Sequence, residues 1–271
     1  MIAEADGRIT VVGLCCDNPL QLEDSLASLA EQVLPPGWRV ELLLIDGSAT
    51  AVCREVLRRW QRRLERAAVA VRHHPRPPRG IYDALNAGLA LAAGDWLHVL
   101  TAGDRYADAT SLARLLRHAL ALTAARGGEP PAAVFGQAWV DPPAGSRVPP
   151  WLTPDPAVVR LDRWLRRMVP CHQAFLFQGN FARSHLYKGH RGVTADRPVM
   201  QAAIRAGGQG VYLRQPVCRF RLGGVSSRQG ALKALLRPWP ELTIRLMRLQ
   251  ASWMGRLCGG RLSGVRPGVR V

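Results

Sequence analysis

Three aspartates, Asp17, Asp46 and Asp104, each follow closely on an apolar run that reads as a strand. A carboxylate at such a place is either a turn former or an acceptor for a base or a ribose hydroxyl. Asp46 stands before Gly47-Ser48, and its recurrence with Asp17 and Asp104 favours the second reading. Asp104 follows Thr101-Ala102-Gly103, small residues that let a ligand approach the backbone. A carboxylate there suits a divalent cation that also holds a diphosphate.

Further candidates lie between and after these. Asp83 and Asn86 are spaced to share a helix face. With Arg79 they either hold a ligand and its loops or cap and line a helix. Asp196, close to a helix start, is either a cap or the general base that a hydroxyl nucleophile needs. In Cys171-His172-Gln173, neighbouring strand residues point to opposite faces, which argues against a Cys–His nucleophilic pair. His172 is either a polar contact to a diphosphate, a sugar or an acceptor, or a satisfied buried histidine.

The elements that must carry these residues are legible from hydrophobic periodicity. Strands are expected at 8–17, 40–48, 68–74, 95–100, 132–140 and 171–177, with a strand or two over 209–226. Helices are expected after Asn18-Pro19, where proline suits the first helical position, and over 50–67, 80–94, 108–127, 180–187 and 194–208. The alternation implies an α/β fold with a mostly parallel sheet covered on both sides. Ligands in such folds bind beyond the carboxyl ends of the strands, which is where Asp17, Asp46 and Asp104 fall. The proline-rich 141–159 segment reads as a binding loop or lid, and it and the 185–193 loop are expected to shape acceptor choice.

The 271 residues carry a net charge of +17, almost all of it arginine. Such a surface favours anionic partners, nucleic acid or a membrane face among them. No zinc-finger, helix-turn-helix or RNA-binding signature is present, so no specific nucleic acid is expected. Nor is there a phosphate loop, a GxGxxG after the first strand, an HExxH or a GxSxG. The six cysteines show neither CxxC nor zinc-ribbon spacing, and with no secretory opening they suggest a reducing compartment. No apolar run is long enough to span a membrane. From about Ala231 apolar and arginine positions alternate, with Leu242, Ile244, Leu246, Met247, Leu249, Trp253, Met254 and Leu257 on a broad face. This tail is either an amphipathic surface binder or a terminal helix docked on the core.

Six stretches in order, TVVGLCCDNPLQLEDSLASLAEQ, ELLLIDGSAT, GIYDALNAGLALAAGDWLHVLTAGD, PCHQAFLF, TADRPV and RFRLGGVS, resemble the inverting family 2 glycosyltransferases with a GT-A fold. The resemblance covers roughly residues 8–226 and is nearest to bacterial exopolysaccharide and lipopolysaccharide enzymes of the colanic-acid type. It implies a GT-A domain over 1–226, with a nucleotide-sugar half at 1–107 and an acceptor half at 108–226, and a basic C-terminal extension at 227–271. It implies a nucleoside-diphosphate sugar as donor, with Asp17, Asp46, Arg79, Asp83, Asn86 and Asp104 around it. Asp104 becomes the ligand to Mg²⁺ or Mn²⁺, Asp196 the base on the acceptor hydroxyl, and His172 and Gln173 part of the acceptor pocket. The acceptor is a saccharide or a lipid-linked saccharide. The implied location is cytoplasmic, at the inner-leaflet surface, with the basic tail as contact. Three departures stand out. Thr-Ala-Gly-Asp keeps only the last carboxylate of the metal motif, DGSAT lacks a second acidic residue, and Arg197-Pro198 replaces the usual aromatic after the base.

Overall fold

The structure, a computed structural model, describes residues 6–153, 171–189, 194–208, 210–223, 242, 244–249 and 252. Its first half alternates as the periodicity predicts: β1 (Gly7–Cys15), α1 (Pro19–Ala30), β2 (Trp38–Asp46), α2 (Val52–Arg66), β3 (Val69–Pro75), α3 (Ile81–Leu91) and β4 (Trp96–Thr101). The second half holds β5 (Arg105–Tyr106), α4 (Ser111–Ala125), β6 (Ala133–Asp141), β7 (Trp151–Leu152), β8 (Phe175–Gln178), α5 (Gly179–Ser184), α6 (Asp196–Gly207) and β9 (Tyr212–Arg221).

One sheet runs β3-β2-β1-β4-β8-β6-β9-β5, with β7 on β6. The pairs β2–β3, β1–β2 and β1–β4 are parallel. The central strands β1, β2 and β4 are buried along almost their whole length because helices cover both faces, whereas the edge strand β3 buries only Val69. Beyond β4 the sheet turns mixed, since β8 runs antiparallel to β4 and β6 while β9 runs parallel to β6. The α/β sheet expected from the sequence is therefore present, parallel in its first half.

Two cores lie on opposite faces. One joins Val11, Leu42 and Leu44 to Leu26, Val56 and Leu116 of α1, α2 and α4. The other joins Val12, Leu43 and Ile45 to Leu85 of α3 and Met200 and Ile204 of α6. α3 lies tight on the sheet because position 88 is glycine: a Cβ there would stand 2.4 Å from Val12 Cγ1. That close approach sets where the residues at the start of α3 point.

Two local departures have simple causes. The run 171–177 reads as one strand, but His172–Ala174 form a 3₁₀ turn and only Phe175 onward pairs with β4 and β6. Of the 141–159 loop, residues up to 153 are described, and Val148 and Trp151 bury with Val140, Leu222 and Ile244. Residues 244–249 are helical, and Ile244 and Met247 dock on that cluster. Leu242, Leu246 and Leu249 are exposed, as are Arg245 and Arg248. Residues 244–249 therefore dock one face on the core and show another to solvent. Trp253, Met254, Leu257, Cys258 and most of the 227–271 extension lie outside the described residues, as do 190–193 and the end of RFRLGGVS.

Candidate functional site

Asp17 and Asp46 meet through one serine. Asp46 ends β2 in register with Cys15 at the end of β1. Its Oδ1 accepts the Ser48 backbone N–H at 2.9 Å, and the Ser48 hydroxyl accepts the Asp17 N–H at 2.9 Å. Asp17 takes a left-handed backbone, φ 49°, a conformation aspartate tolerates better than most residues. Its carboxylate then receives the Ala49 N–H and the Thr50 hydroxyl. The DGSAT loop is thus pinned against the end of β1.

Asp46 is buried, and its other oxygen lies 3.0 Å from His73 Nε2 on β3. Burial by itself would raise this acid, but the hydrogen bonds from Ser48 and His73 outweigh it and hold Asp46 below the usual carboxylate range. His73 escaped the sequence reading because its partner lies on another strand. The only hint was a histidine pair at the end of an apolar run.

Asp83, in the first turn of α3, pairs with Arg76 by two hydrogen bonds of 2.8 and 3.0 Å. The Arg76 hydrogen bond pulls Asp83 below its ordinary range, and Arg79 adds a weaker attraction from farther off. Arg76 also donates its backbone N–H to the Asp46 carbonyl at 2.8 Å. The cation next to Asp83 is therefore Arg76, while Arg79 is exposed one residue before the α3 cap Gly80.

Asn86 faces the other way. Its Nδ2 donates to the Tyr187 carbonyl at 2.9 Å and its Oδ1 accepts the Tyr187 N–H at 2.8 Å. The Tyr187 hydroxyl lies 2.7 Å from His172 Nε2, and its ring lies 5.6 Å from that of Tyr82. Tyr82 lies close enough to Asp196, at the start of α6, for each to shift the other's ionisation. Burial raises Asp196 above the usual range, partly offset by the backbone N–H groups of Arg197 and Asp196 and, least, by the Tyr82 side chain. Burial also lowers His172 to about 4, so it is neutral at physiological pH. A polar wall, with Asp196 and Tyr82 partly buried and Tyr187 and His172 buried, thus stands beside α3. Tyr82 and Tyr187 were not singled out from the sequence as partners of Asp196 and His172, because an aromatic near a helix start reads equally well as packing.

Asp104 is buried to 4% exposure. Gly103 holds the turn before it with φ 102°. Asp104 Oδ1 accepts the Arg221 N–H at 3.1 Å, and the nearby Gln173 side chain also favours the ionised carboxylate. Burial pushes Asp104 up to about 7 despite these donors. Its nearest acidic neighbour, Asp141, is taken up by Arg219 and Arg105. Mg²⁺ and Mn²⁺ want several oxygens. A single buried carboxylate whose Oδ1 already accepts the Arg221 N–H, with Asp141 engaged by two arginines, offers too few free oxygens for such an ion. His172 and Gln173, adjacent in sequence, diverge: one meets the Tyr187 hydroxyl, while the other accepts the Cys171 thiol at 3.1 Å and lies toward Asp104.

The site residues therefore form three groups along the carboxyl edge of the sheet. Asp17 and Asp46 sit with Ser48 and His73, Asp104 with Gln173, and Asp196 with Tyr82. The three aspartates Asp46, Asp104 and Asp196 are not brought into direct contact. Arg76 and α3 span the first group and the last.

Residues 10–126 match the family model described as Glycosyl transferase family 2. The resemblance read from the sequence is borne out over this segment. No curated protein matches the sequence. Among solved structures, S. aureus TarS aligns with a TM-score of 0.57 at 14% identity, covering 79% of this chain and 37% of that one. TarS 1-349 in complex with UDP aligns at 0.56 and 15%, covering 80% and 61%. The mannosyltransferase PcManGT from Pyrobaculum calidifontis, in complex with GDP-Man and Mn²⁺, aligns at 0.53 and 17%, covering 93% and 73%. These likenesses are of fold, and the fold is the GT-A type shared by these glycosyltransferases. The chain spans between 37% and 61% of the length of the TarS structures it matches.

Proposed function

We propose that the protein transfers a sugar from a nucleoside-diphosphate sugar to a hydroxyl of a saccharide or lipid-linked saccharide, with inversion. The reaction belongs to bacterial surface polysaccharide synthesis, of exopolysaccharide or lipopolysaccharide, at the cytoplasmic face of the inner membrane. The observation that carries the reading is the contact between Asp196 and Tyr82. It brings a raised, half-buried carboxylate onto the helix whose Asp83 is tied through Arg76 to Asp46.

In this reading residues 1–107 serve the nucleotide and 108–226 the acceptor. Asp17, Asp46 and the Ser48 loop receive the base and ribose. Arg79, exposed before α3, faces the diphosphate, with Asp83 and Asn86 fixing the helix beside it. Asp196 removes the proton from the acceptor hydroxyl as its oxygen attacks C1, the C1–O bond to the diphosphate breaks, and the configuration inverts. A base with a raised pKa is the stronger proton acceptor. His172 and Gln173 hold the two sides of the acceptor pocket. Because the residues around Asp104 do not fit Mg²⁺ or Mn²⁺, no step runs through a metal. The exposed Leu242, Leu246 and Leu249 with Arg245 and Arg248 rest on anionic lipid.

The test is transfer from a panel of UDP- and GDP-sugars to lipid-linked saccharides, for the wild type and Asp196→Asn. Transfer by the wild type alone, with a product of inverted anomeric configuration by NMR, supports the reading. Equal, near-zero transfer by both proteins would sink it. A second reading, a nucleotide-sugar binder with little catalysis, has one observation in its favour: the burial of Asp104. It predicts nucleotide binding without turnover.

A further inference from the structure

We propose that Cys15, Cys53 and Asp46 form a site for one thiophilic divalent cation such as Zn²⁺, and that filling it takes Asp46 away from the nucleotide. The second half rests on the donor reading above.

Among the described residues, these three are the group whose donor atoms, two sulfurs and a carboxylate oxygen, all lie within 4.8 Å of one another. The fold produces the cluster directly. Cys15 and Asp46 end adjacent parallel strands in register, and Cys53 enters from the first turn of α2. All three are buried. Tetrahedral Zn²⁺ with sulfur bonds of about 2.3 Å sets its donor atoms roughly 3.5–3.8 Å apart, a contraction of about 1 Å from this arrangement. Asp46 is already oriented by Ser48 and by His73, as the ligands of bound metals usually are.

A fourth donor and a way in are both at hand. Asn18 Oδ1 lies 3.9 Å from Cys53 Sγ. Cys16 is exposed at the rim, its thiol turned to the Gly47 carbonyl at 3.3 Å. Thiolate ligands select Zn²⁺ and similar ions over Mg²⁺ or Mn²⁺. Charge favours occupation too. Both thiols give up a proton as the metal–sulfur bonds form, so a dication replaces two protons and the buried cluster keeps the single negative charge of Asp46. The alternative is plain packing, in which two buried thiols hydrogen-bond a carboxylate and bind nothing.

The experiment titrates the reduced full chain with Cd²⁺ and reads the ultraviolet thiolate-to-metal absorption. The expected result is one Cd²⁺ per chain with about two protons released into weak buffer. The band should vanish in Cys15→Ala and in Cys53→Ser and persist in Cys171→Ser. Asp46→Asn, the least disruptive change, should weaken Cd²⁺ by about tenfold or more even if a cysteine variant fails to fold. No stoichiometric band in the wild type, or a band that survives loss of Cys15 or Cys53, overturns the site. Preloading with Cd²⁺ should weaken UDP or GDP binding by about tenfold, and simultaneous binding overturns the competition. If neither nucleotide binds the metal-free chain, the donor reading fails while the absorbance still decides the cation site.

Discussion

Asn86 on α3 and the backbone of Tyr187 exchange two hydrogen bonds, one in each direction. The amide is matched to a peptide unit, with its NH₂ on the carbonyl and its oxygen on the N–H. Through it α3 holds the segment whose tyrosine touches His172. The resemblance implies Asn86 beside the nucleotide, and in the structure its side-chain amide is taken up by the Tyr187 backbone.

Asn86→Ala should therefore uncouple Tyr187 and leave two partly buried backbone groups without partners. Each such loss costs about 1–3 kcal/mol, so urea unfolding should show a drop of roughly 2–4 kcal/mol. Nucleotide affinity, followed by calorimetry, should change less than about threefold, while KM for the acceptor rises. A large fall in nucleotide affinity with stability intact would return Asn86 to the nucleotide side.

Tyr82→Phe removes the hydroxyl that favours the ionised form of Asp196. That hydroxyl lowers the acid from where burial would put it, so its loss raises Asp196 further. The acid limb of the pH–rate profile should move to higher pH, because the base ionises later. We expect kcat below neutrality to fall about tenfold with donor KM unchanged, whereas Asp196→Asn should lose about a hundredfold or more at every pH. An unshifted limb would mean that Tyr82 only packs.

Asp104 makes a prediction about stability. Its pKa is about 7 in the folded chain and near 3.8 when exposed. Between those values the folded state holds a proton that the unfolded state has released, so stability falls as pH rises from about 4 to 7 and is flat above. Asp104→Asn should remove that slope and melt higher than the wild type at pH 8, by an amount on the order of a few kcal/mol. At pH 4 the two should be alike. Since this carboxylate does not fit a divalent cation, chelation should not lower nucleotide affinity by more than about threefold. A loss of a hundredfold with EDTA would mean that Asp104 turns out to meet the ion.

The parts of this molecule that show in the sequence are those set by local pattern. Apolar runs bounded by polar turns placed β1 to β4 and α1 to α3 to within a few residues, because β1, β2 and β4 are buried on both faces and β3 keeps an apolar start. Asp17, Asp46 and Asp104 stood out because strand ends recur. The partners did not. His73 meets Asp46 only because β3 lies in register beside β2, and Tyr82 meets Asp196 only because α6 folds back onto the face that α3 covers. Such contacts depend on chain topology, which spacing does not carry. The 3₁₀ turn at His172–Ala174 was hidden for another reason, since its apolar composition matches a strand.

The helix at residues 244–249 divides its apolar residues between two tasks, which makes them separable. Ile244 is buried against Val140, Val148, Trp151 and Leu222, with Met247 beside it. Leu242, Leu246 and Leu249 are 45, 40 and 58% exposed, and Arg245 and Arg248 are exposed as well. Truncating a buried isoleucine to alanine costs about 2–5 kcal/mol, so Ile244→Ala should lower stability and leave lipid binding by the folded protein unchanged. Replacing Leu242, Leu246 and Leu249 with serine together should do the reverse, shifting stability by less than about 1 kcal/mol. In sedimentation with vesicles containing anionic lipid, that triple variant should lose most of its binding, and raised salt should weaken the wild type by screening the arginines. Undiminished sedimentation of the triple variant would remove this face as the membrane contact and leave the helix a docked element of the core.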